Sequence, residues 1–170
     1  MHGQQKLLSE GYRTRDGHMI EWLGKLNSSV GPVAVLSRPE PHLLRPLTRK
    51  ILQMPPAANT VAFDSYSWAI PKFNDRRAWW LQSKNDYTLP TAGVNTPAVI
   101  WNPLVALSNI WNELQSGKRR ISVDLLDDWS IHYAFESIWP ELEIAYRRIF
   151  DRADSVTANA EGTLALAHRF

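Results

Sequence analysis

The 170-residue chain contains no cysteine, which excludes disulfide bonds, thiolate metal ligands and a cysteine nucleophile. No apolar run approaches the length of a membrane span, and the N-terminus has no apolar signal core. The formal net charge of +2 is too small to indicate nucleic-acid binding by itself. These absences favour a soluble intracellular protein that does not bind nucleic acid.

What is present is enough apolar sequence for one folded domain. Hydrophobic residues make up 44% of the chain, which is ordinary for a globular protein, and 170 residues suffice to bury a core. Eight tryptophans are many for this length. We expect most of them in the core, although an exposed tryptophan would suit sugar stacking or a membrane interface.

Short apolar runs alternate with amphipathic segments from Met19 onward. The predicted strands are 33–36, 60–63, 98–101, 121–126 and 155–158. The predicted helices are 16–26, 43–51, 75–83, 102–117, 140–153 and 161–169, with Asp16 capping the first, Gly117 ending the fourth and Asn159 capping the last. This alternation predicts an α/β fold, an open and mostly parallel sheet with helices on both faces. Ligands of such sheets bind beyond the carboxyl ends of the strands.

Two adjacent acids, Asp127 and Asp128, directly follow the predicted strand 121–126. At the carboxyl edge of a sheet they could supply a general base, bind a sugar hydroxyl or hold a cation. The plainer alternative is a loop acid that caps the following turn. A metal site is not supported, because no histidine or third acid lies nearby at a ligand spacing. His132 follows closely and could assist the acids, although a structural role is the simpler interpretation.

A second candidate is the loop Gly11–Gly17, which precedes the first predicted helix. Its glycines and its arginines, Arg13 and Arg15, would suit an anion- or sugar-binding loop at a helix N-terminus. A solvated turn is the equally simple alternative. The loop matches neither the Walker motif nor the dinucleotide-binding glycine pattern. Elsewhere, the basic and aromatic segment 76–80 could contact anionic lipid, but an amphipathic surface helix explains it as well.

The segments Val123–Trp129, 136–148 and Ala153–Glu161 together resemble the amino-terminal domain of family-4-like glycosyltransferases of the GT-B fold. Many of these enzymes have a strand that ends in Asp-Asp-Trp and a later strand of the form Ala-Asp-x-Val-x-x-x-Ser-Glu. The Gly11–Gly17 loop and Val33–Glu40 resemble the opening loop and second strand of the family. The similarity extends from about residue 10 to the end of the chain.

The resemblance implies that residues 1–170 form one Rossmann-like, acceptor-side domain. The complete enzyme would transfer a sugar from a nucleotide-sugar donor to a glycoconjugate or cell-envelope acceptor, without an obligatory metal or a tightly bound cofactor. Asp127 or Asp128 would then be the catalytic base or would orient the acceptor. Further substrate-binding residues would be Gly11, Tyr12, Arg13, Arg15, Asp16, Trp129, Asn159 and Glu161, with Trp129 stacking on a sugar face.

The sequence departs from the family at both ends. Lys6-Leu7-Leu8 is a poor remnant of the family's first strand, and the chain ends before a donor-binding domain. We therefore expect the chain alone to be a poor catalyst, and its partners to be a donor domain in cis or in trans and a sugar or glycolipid acceptor. The expected location is the cytoplasm, with possible peripheral contact to the inner face of the membrane and possible self-association.

Two rival functions stay open at this stage. A non-catalytic Rossmann-like binding module would keep the fold without the activity, and the missing donor half favours it. A small-molecule α/β enzyme that works alone at the Asp127–Asp128 pair is the third possibility.

Overall fold

A computed structural model of the chain describes residues 14–44, 57–70, 72, 74–75, 77–90, 95–116 and 118–170. The chain divides into two compact units. Unit 1 comprises Met1–Ile70 and Asp86–Pro90, and unit 2 comprises Pro71–Asn85 and Thr91–Phe170. No helix among the described residues is both long and apolar enough to cross a bilayer.

The first described element of unit 1 is helix α1 (Arg15–Leu26), which packs against two parallel strands, β1 (Val33–Leu36) and β3 (Thr60–Phe63). The hydroxyl of Thr14 caps α1 by accepting a hydrogen bond from the Gly17 N–H at 3.4 Å. The prediction that Asp16 caps this helix is wrong, because the helix already begins at Arg15 and Asp16 lies buried in its first turn.

A second, two-residue strand pair in unit 1 joins β2 (Glu40–Pro41) to β4 (Tyr66–Ser67), again in parallel. Just before β4, the hydroxyl of Ser65 accepts a hydrogen bond from the Thr88 N–H at 2.8 Å, which ties the segment 86–90 to this unit. Buried Ser65 and Ser67 lie in this part of the unit.

Unit 2 is built on a parallel three-stranded sheet, in the order β5 (Ala98–Ile100), β6 (Ile121–Leu125) and β7 (Ser155–Ala158). The central strand β6 has four of its five residues buried, as expected when both neighbours are strands and its faces are covered. Helices α4 (Trp139–Arg152) and α5 (Glu161–Arg169) contact β6 and β7 respectively. Helix α4 also packs on the 3₁₀ helix Pro103–Leu107 through its buried face, formed by Leu142, Ala145, Tyr146 and Ile149.

Most of the predicted elements in the described part of the chain are confirmed, with shifted ends. The predicted helix 75–83 is the short α2 (Ala78–Gln82). The predicted helix 102–117 is two pieces, the 3₁₀ helix Pro103–Leu107 and α3 (Trp111–Gln115), because Ser108 takes an extended backbone and donates its hydroxyl to the Val105 carbonyl. The predicted helix 43–51 lies largely outside the described residues, as does Gly117.

The predicted α/β class with parallel strands is confirmed. The described sheets are small, with two, two and three strands. The finer interpretation, one Rossmann-like domain over residues 1–170 with helices on both faces of a wider sheet, stays a prediction.

Candidate functional site

The candidate site is the carboxyl edge of the three-stranded sheet in unit 2. Because β5, β6 and β7 are parallel neighbours, the residues that follow each strand emerge at the same edge. Trp101 follows β5, the segment 126–129 follows β6, and Asn159 follows β7. This is the edge at which open parallel sheets bind ligands.

A buried carboxylate, Asp124, fixes this edge from within the sheet. Asp124 is 1% exposed. Its Oδ2 accepts the indole N–H of Trp101 at 2.9 Å, and its Oδ1 accepts the hydroxyl of Thr157 at 2.6 Å. A single side chain of the central strand therefore links β7 to the residue that follows β5, three residues before the candidate acid Asp127.

The second acid of the pair, Asp128, is held by neighbours on both oxygens. Its Oδ1 accepts hydrogen bonds from the Ser130 N–H at 2.9 Å and from the Ser130 hydroxyl at 2.5 Å. Its Oδ2 lies 3.5 Å from Nη2 of Arg169, the last residue of α5, and the same guanidinium contacts the Ser130 hydroxyl. Only 9% of the Asp128 side chain is exposed, so its carboxylate has a fixed orientation.

The first acid of the pair, Asp127, has a different environment. Asp127 is exposed, and its carboxylate makes no hydrogen bond or ion pair with any of the described residues. The two adjacent acids therefore divide into a solvent-facing carboxylate and a fixed one. Asp127 is accessible, which a general base must be in order to reach the proton it removes.

Trp129 packs inward rather than outward. Its ring stacks on Phe135 with centroids 4.7 Å apart and planes 8° apart, and Trp80 meets it edge-on at 5.1 Å. Its backbone N–H donates to the hydroxyl of buried Tyr146 at 3.4 Å. Burial raises the pKa of the Tyr146 phenol well above its ordinary value, so this hydroxyl stays protonated and anchors the loop to α4. Phe135 therefore covers one face of the Trp129 ring, and only the other face is left for the predicted stacking on a sugar.

Five rings form a continuous row that starts beside the acids, and we call it the aromatic row: Trp80, Trp129, Phe135, His132 and Tyr133. The guanidinium of Arg77 lies 4.5 Å from the centre of the Phe135 ring and 4.8 Å from that of Trp80. His132 accepts the Ala134 N–H through Nδ1 at 3.1 Å, which caps the 3₁₀ helix Tyr133–Ile138. These contacts give His132 a structural role and include no bond to the acids.

Asn159 and Glu161 lie beyond β7 and are exposed. Asn159 does not cap α5, because the helix begins at Glu161 and its N-cap is Ala160. The amide oxygen of Asn159 instead accepts the hydroxyl of Thr163 at 3.0 Å. Glu161 lies in the first turn of α5, where its charge is favourable to the helix dipole. Their proposed contacts with substrate stay predictions.

The predicted loop of unit 1 is described only in part. Gly11, Tyr12 and Arg13 lie outside the described residues, as does the Lys6-Leu7-Leu8 segment. Arg15 is exposed and Asp16 is buried, both in the first turn of α1. Their predicted roles in substrate binding stay predictions.

Three residues of this edge were not predicted from the sequence as site residues: Asp124, Arg169 and Tyr133. Asp124 left a signal, since a lone acid inside an apolar strand needs a hydrogen-bonding partner when it is buried. Arg169 left none, because its contact with Asp128 joins residues 41 positions apart. The sequence shows Tyr133 only as one polar aromatic residue in a loop.

No cluster of three or more potential metal ligands occurs among the described residues. In comparisons with known proteins, the chain matches no family model, no curated protein and no solved structure.

Proposed function

We propose that the carboxyl edge of the β5–β6–β7 sheet binds a carbohydrate acceptor, and that the chain is the acceptor-side part of a glycosyltransferase. The donor would be a nucleotide sugar held by a donor-binding domain, present in cis or in trans. The acceptor would be a glycoconjugate, including envelope material. The proposal rests on the resemblance of segments within 123–161 to the glycosyltransferase family and on the chemistry of the edge.

The observation that carries the proposal is the unequal environment of the two adjacent acids. Asp127 faces solvent, whereas Asp128 is fixed by Ser130 and Arg169. Transfer to a hydroxyl needs one group to take a proton and another to hold the acceptor in place. The exposed carboxylate suits the first role, and the fixed one suits the second.

In the proposed reaction Asp127 is the general base. The acceptor hydroxyl oxygen forms a bond to the anomeric carbon of the donor sugar as its proton passes to the Asp127 carboxylate. The bond between the anomeric carbon and the diphosphate breaks, and the nucleoside diphosphate leaves with the electron pair. Asp128 accepts a hydrogen bond from a neighbouring hydroxyl of the acceptor and so fixes its orientation.

A transfer assay tests this proposal. The tagged chain is purified from its own cells with the proteins that accompany it, and is supplied with radiolabelled nucleotide sugars and an extract of envelope glycolipids. We expect labelled glycolipid from the unaltered chain and a loss of at least about a hundredfold with Asp127→Asn, the usual size of a general-base contribution. Asp151→Asn removes an exposed acid from α4 and serves as the matched control. Equal transfer by Asp127→Asn and the unaltered chain would refute the assignment.

A second candidate, a non-catalytic binding module, is favoured by one observation. Ile131 and Tyr133 lie two residues apart, shortly after the acids, and are 69% and 81% exposed; exposed apolar side chains that lie close together mark interaction sites. A purified complex that binds glycolipid or protein but transfers no sugar from any nucleotide donor would support this second candidate.

A further inference from the structure

Tyr133 is the outer member of the aromatic row and has one ring face open. Its ring stacks on His132, with centroids 4.8 Å apart and planes 20° apart, while the residue as a whole is 81% exposed. One face of the phenol therefore rests on the imidazole and the opposite face meets solvent.

The ring beneath Tyr133 is held from two directions. His132 meets the buried Phe135 edge-on, with centroids 5.8 Å apart, and its Nδ1 accepts the Ala134 N–H at 3.1 Å. Phe135 is itself only 4% exposed and stacks on Trp129. An exposed side chain ordinarily loses conformational freedom when a ligand binds, and a supported ring has less to lose.

The aromatic row also connects the stacked pair Tyr133 and His132, which we call the platform, to the two acids. Trp129, which is adjacent to Asp128 in the chain, is joined to Tyr133 through Phe135 and His132 by successive ring contacts. The exposed Asp127 lies in the loop 126–132, which is anchored to α4 by the Trp129–Tyr146 hydrogen bond and leads directly into the 3₁₀ helix that begins at Tyr133. An exposed hydrogen-bond acceptor and the platform therefore lie in neighbouring parts of the chain.

A pyranose ring has matching chemistry. One of its faces presents several C–H groups that pack on an aromatic face, and its rim presents hydroxyls that donate to a carboxylate. We propose that Tyr133 is the stacking platform for a pyranose ring of the acceptor and that His132 is its positioning residue. This inference rests on the proposed function and replaces Trp129 with Tyr133 as the residue that contacts the sugar face.

Saturation-transfer difference NMR on the full chain tests the platform. The probes are methyl α- and β-glycopyranosides of glucose, galactose, mannose and N-acetylglucosamine. We expect at least one glycoside to bind through the protons of one ring face, with affinity reduced about fivefold to tenfold in Tyr133→Ala and retained in Tyr133→Phe and Tyr133→Trp. Trp22→Ala removes another exposed aromatic residue, in unit 1, and is the control expected to bind normally.

A second variant separates support from contact. His132→Asn keeps a side-chain acceptor for the 3₁₀ helix but removes the ring under Tyr133, and we expect a loss of about threefold in affinity. If the unaltered chain binds a glycoside and Tyr133→Ala binds it equally well, the platform is wrong while the proposed function survives. If the unaltered chain binds none of the glycosides, both proposals fall.

Discussion

The two units end their parallel strands in different ways. In unit 1 a polar group after β1 bonds to one after β3, since the buried Ser37 hydroxyl donates to Asp64 at 3.2 Å. The nearby Arg38 and Glu40 side chains pair at 3.6 Å. In unit 2 the acid that bonds to its neighbours, Asp124, is buried inside the β5–β6–β7 sheet. A second acid, Asp127, is exposed to solvent at the edge of that sheet.

The carboxyl edge of a parallel sheet is therefore not by itself a binding site. Both units have parallel strands followed by polar residues, so the expectation that ligands bind beyond the carboxyl ends of the strands applies to both. Among the described residues, what distinguishes the edge in unit 2 is an exposed carboxylate with a fixed carboxylate beside it. These features carry the proposal, and four changes test the comparison.

The largest effect is expected from Asp124→Ala. It leaves the Trp101 N–H and the Thr157 hydroxyl without their common acceptor, and we expect a loss of about 3 kcal/mol in the free energy of unfolding. Asp64→Ala in unit 1 removes one acceptor from one hydroxyl and should cost about 1 kcal/mol. Urea denaturation measures both, and equal losses would contradict the special place of Asp124.

A pair of glycine substitutions gives the next largest contrast. A Cβ on Gly24 of α1 would lie 2.2 Å from the Ala58 carbonyl oxygen, whereas a Cβ on Gly162 of α5 would meet nothing within 4 Å. We expect Gly24→Ala to cost about 2 kcal/mol and Gly162→Ala to stabilise by about 0.5 kcal/mol. Thermal unfolding followed by circular dichroism gives both signs, and a destabilising Gly162→Ala would contradict the packing at α5.

The pH dependence of unit 2 should change in Asp154→Asn. The Ile121 N–H donates to Asp154 at 2.7 Å and lowers the pKa of its carboxyl below the ordinary value of 3.8, with Arg152 contributing less. A lowered pKa stabilises the fold above the unfolded value, and this stability is lost as the pH falls through the folded pKa. The difference in unfolding free energy between the unaltered chain and the variant should therefore be constant near neutrality and shrink on acidification, over roughly pH 5 to 2. A difference that is the same at every pH would rule out this coupling.

The smallest effect on stability is expected from Arg169→Ala. The Arg169 side chain is 44% exposed, and such ion pairs contribute at most about 1 kcal/mol. The predicted change is in acceptor binding instead of stability, because the Asp128 carboxylate loses its charged partner and much of its fixed orientation. In the transfer assay we expect KM for the acceptor to rise more than kcat falls. A pure loss of kcat would mean that Arg169 acts on the reaction itself.

Local patterns predicted the parts of unit 2 that depend on neighbouring residues. The strand 121–125 has apolar residues at 121, 123 and 125, and the acids after it must emerge where the strand ends. The helix from 139 to 152 has its apolar residues on one face and its Glu143–Arg147 pair at 2.9 Å, as the spacing indicates.

Contacts between distant residues could not be read in the same way. Periodicity does not say which strand pairs with which, so it could not distinguish one wide sheet from the small sheets described here. Nor does it say that Trp129 packs on Phe135, or that Arg169 reaches Asp128 across 41 positions. The N-caps at Thr14 and Ala160 were missed because sequence patterns locate a helix end only to within one or two residues.

The most direct test is to locate a bound sugar by two-dimensional amide NMR of the ¹⁵N-labelled chain, titrated with the glycoside that binds best. Our account predicts that the shifted amides cluster in 126–133 and 157–163, with the first group leading, and that Asp127→Asn weakens the shifts without abolishing the fold. Shifts confined to other parts of the chain, such as the loop after β3 in unit 1, would contradict it.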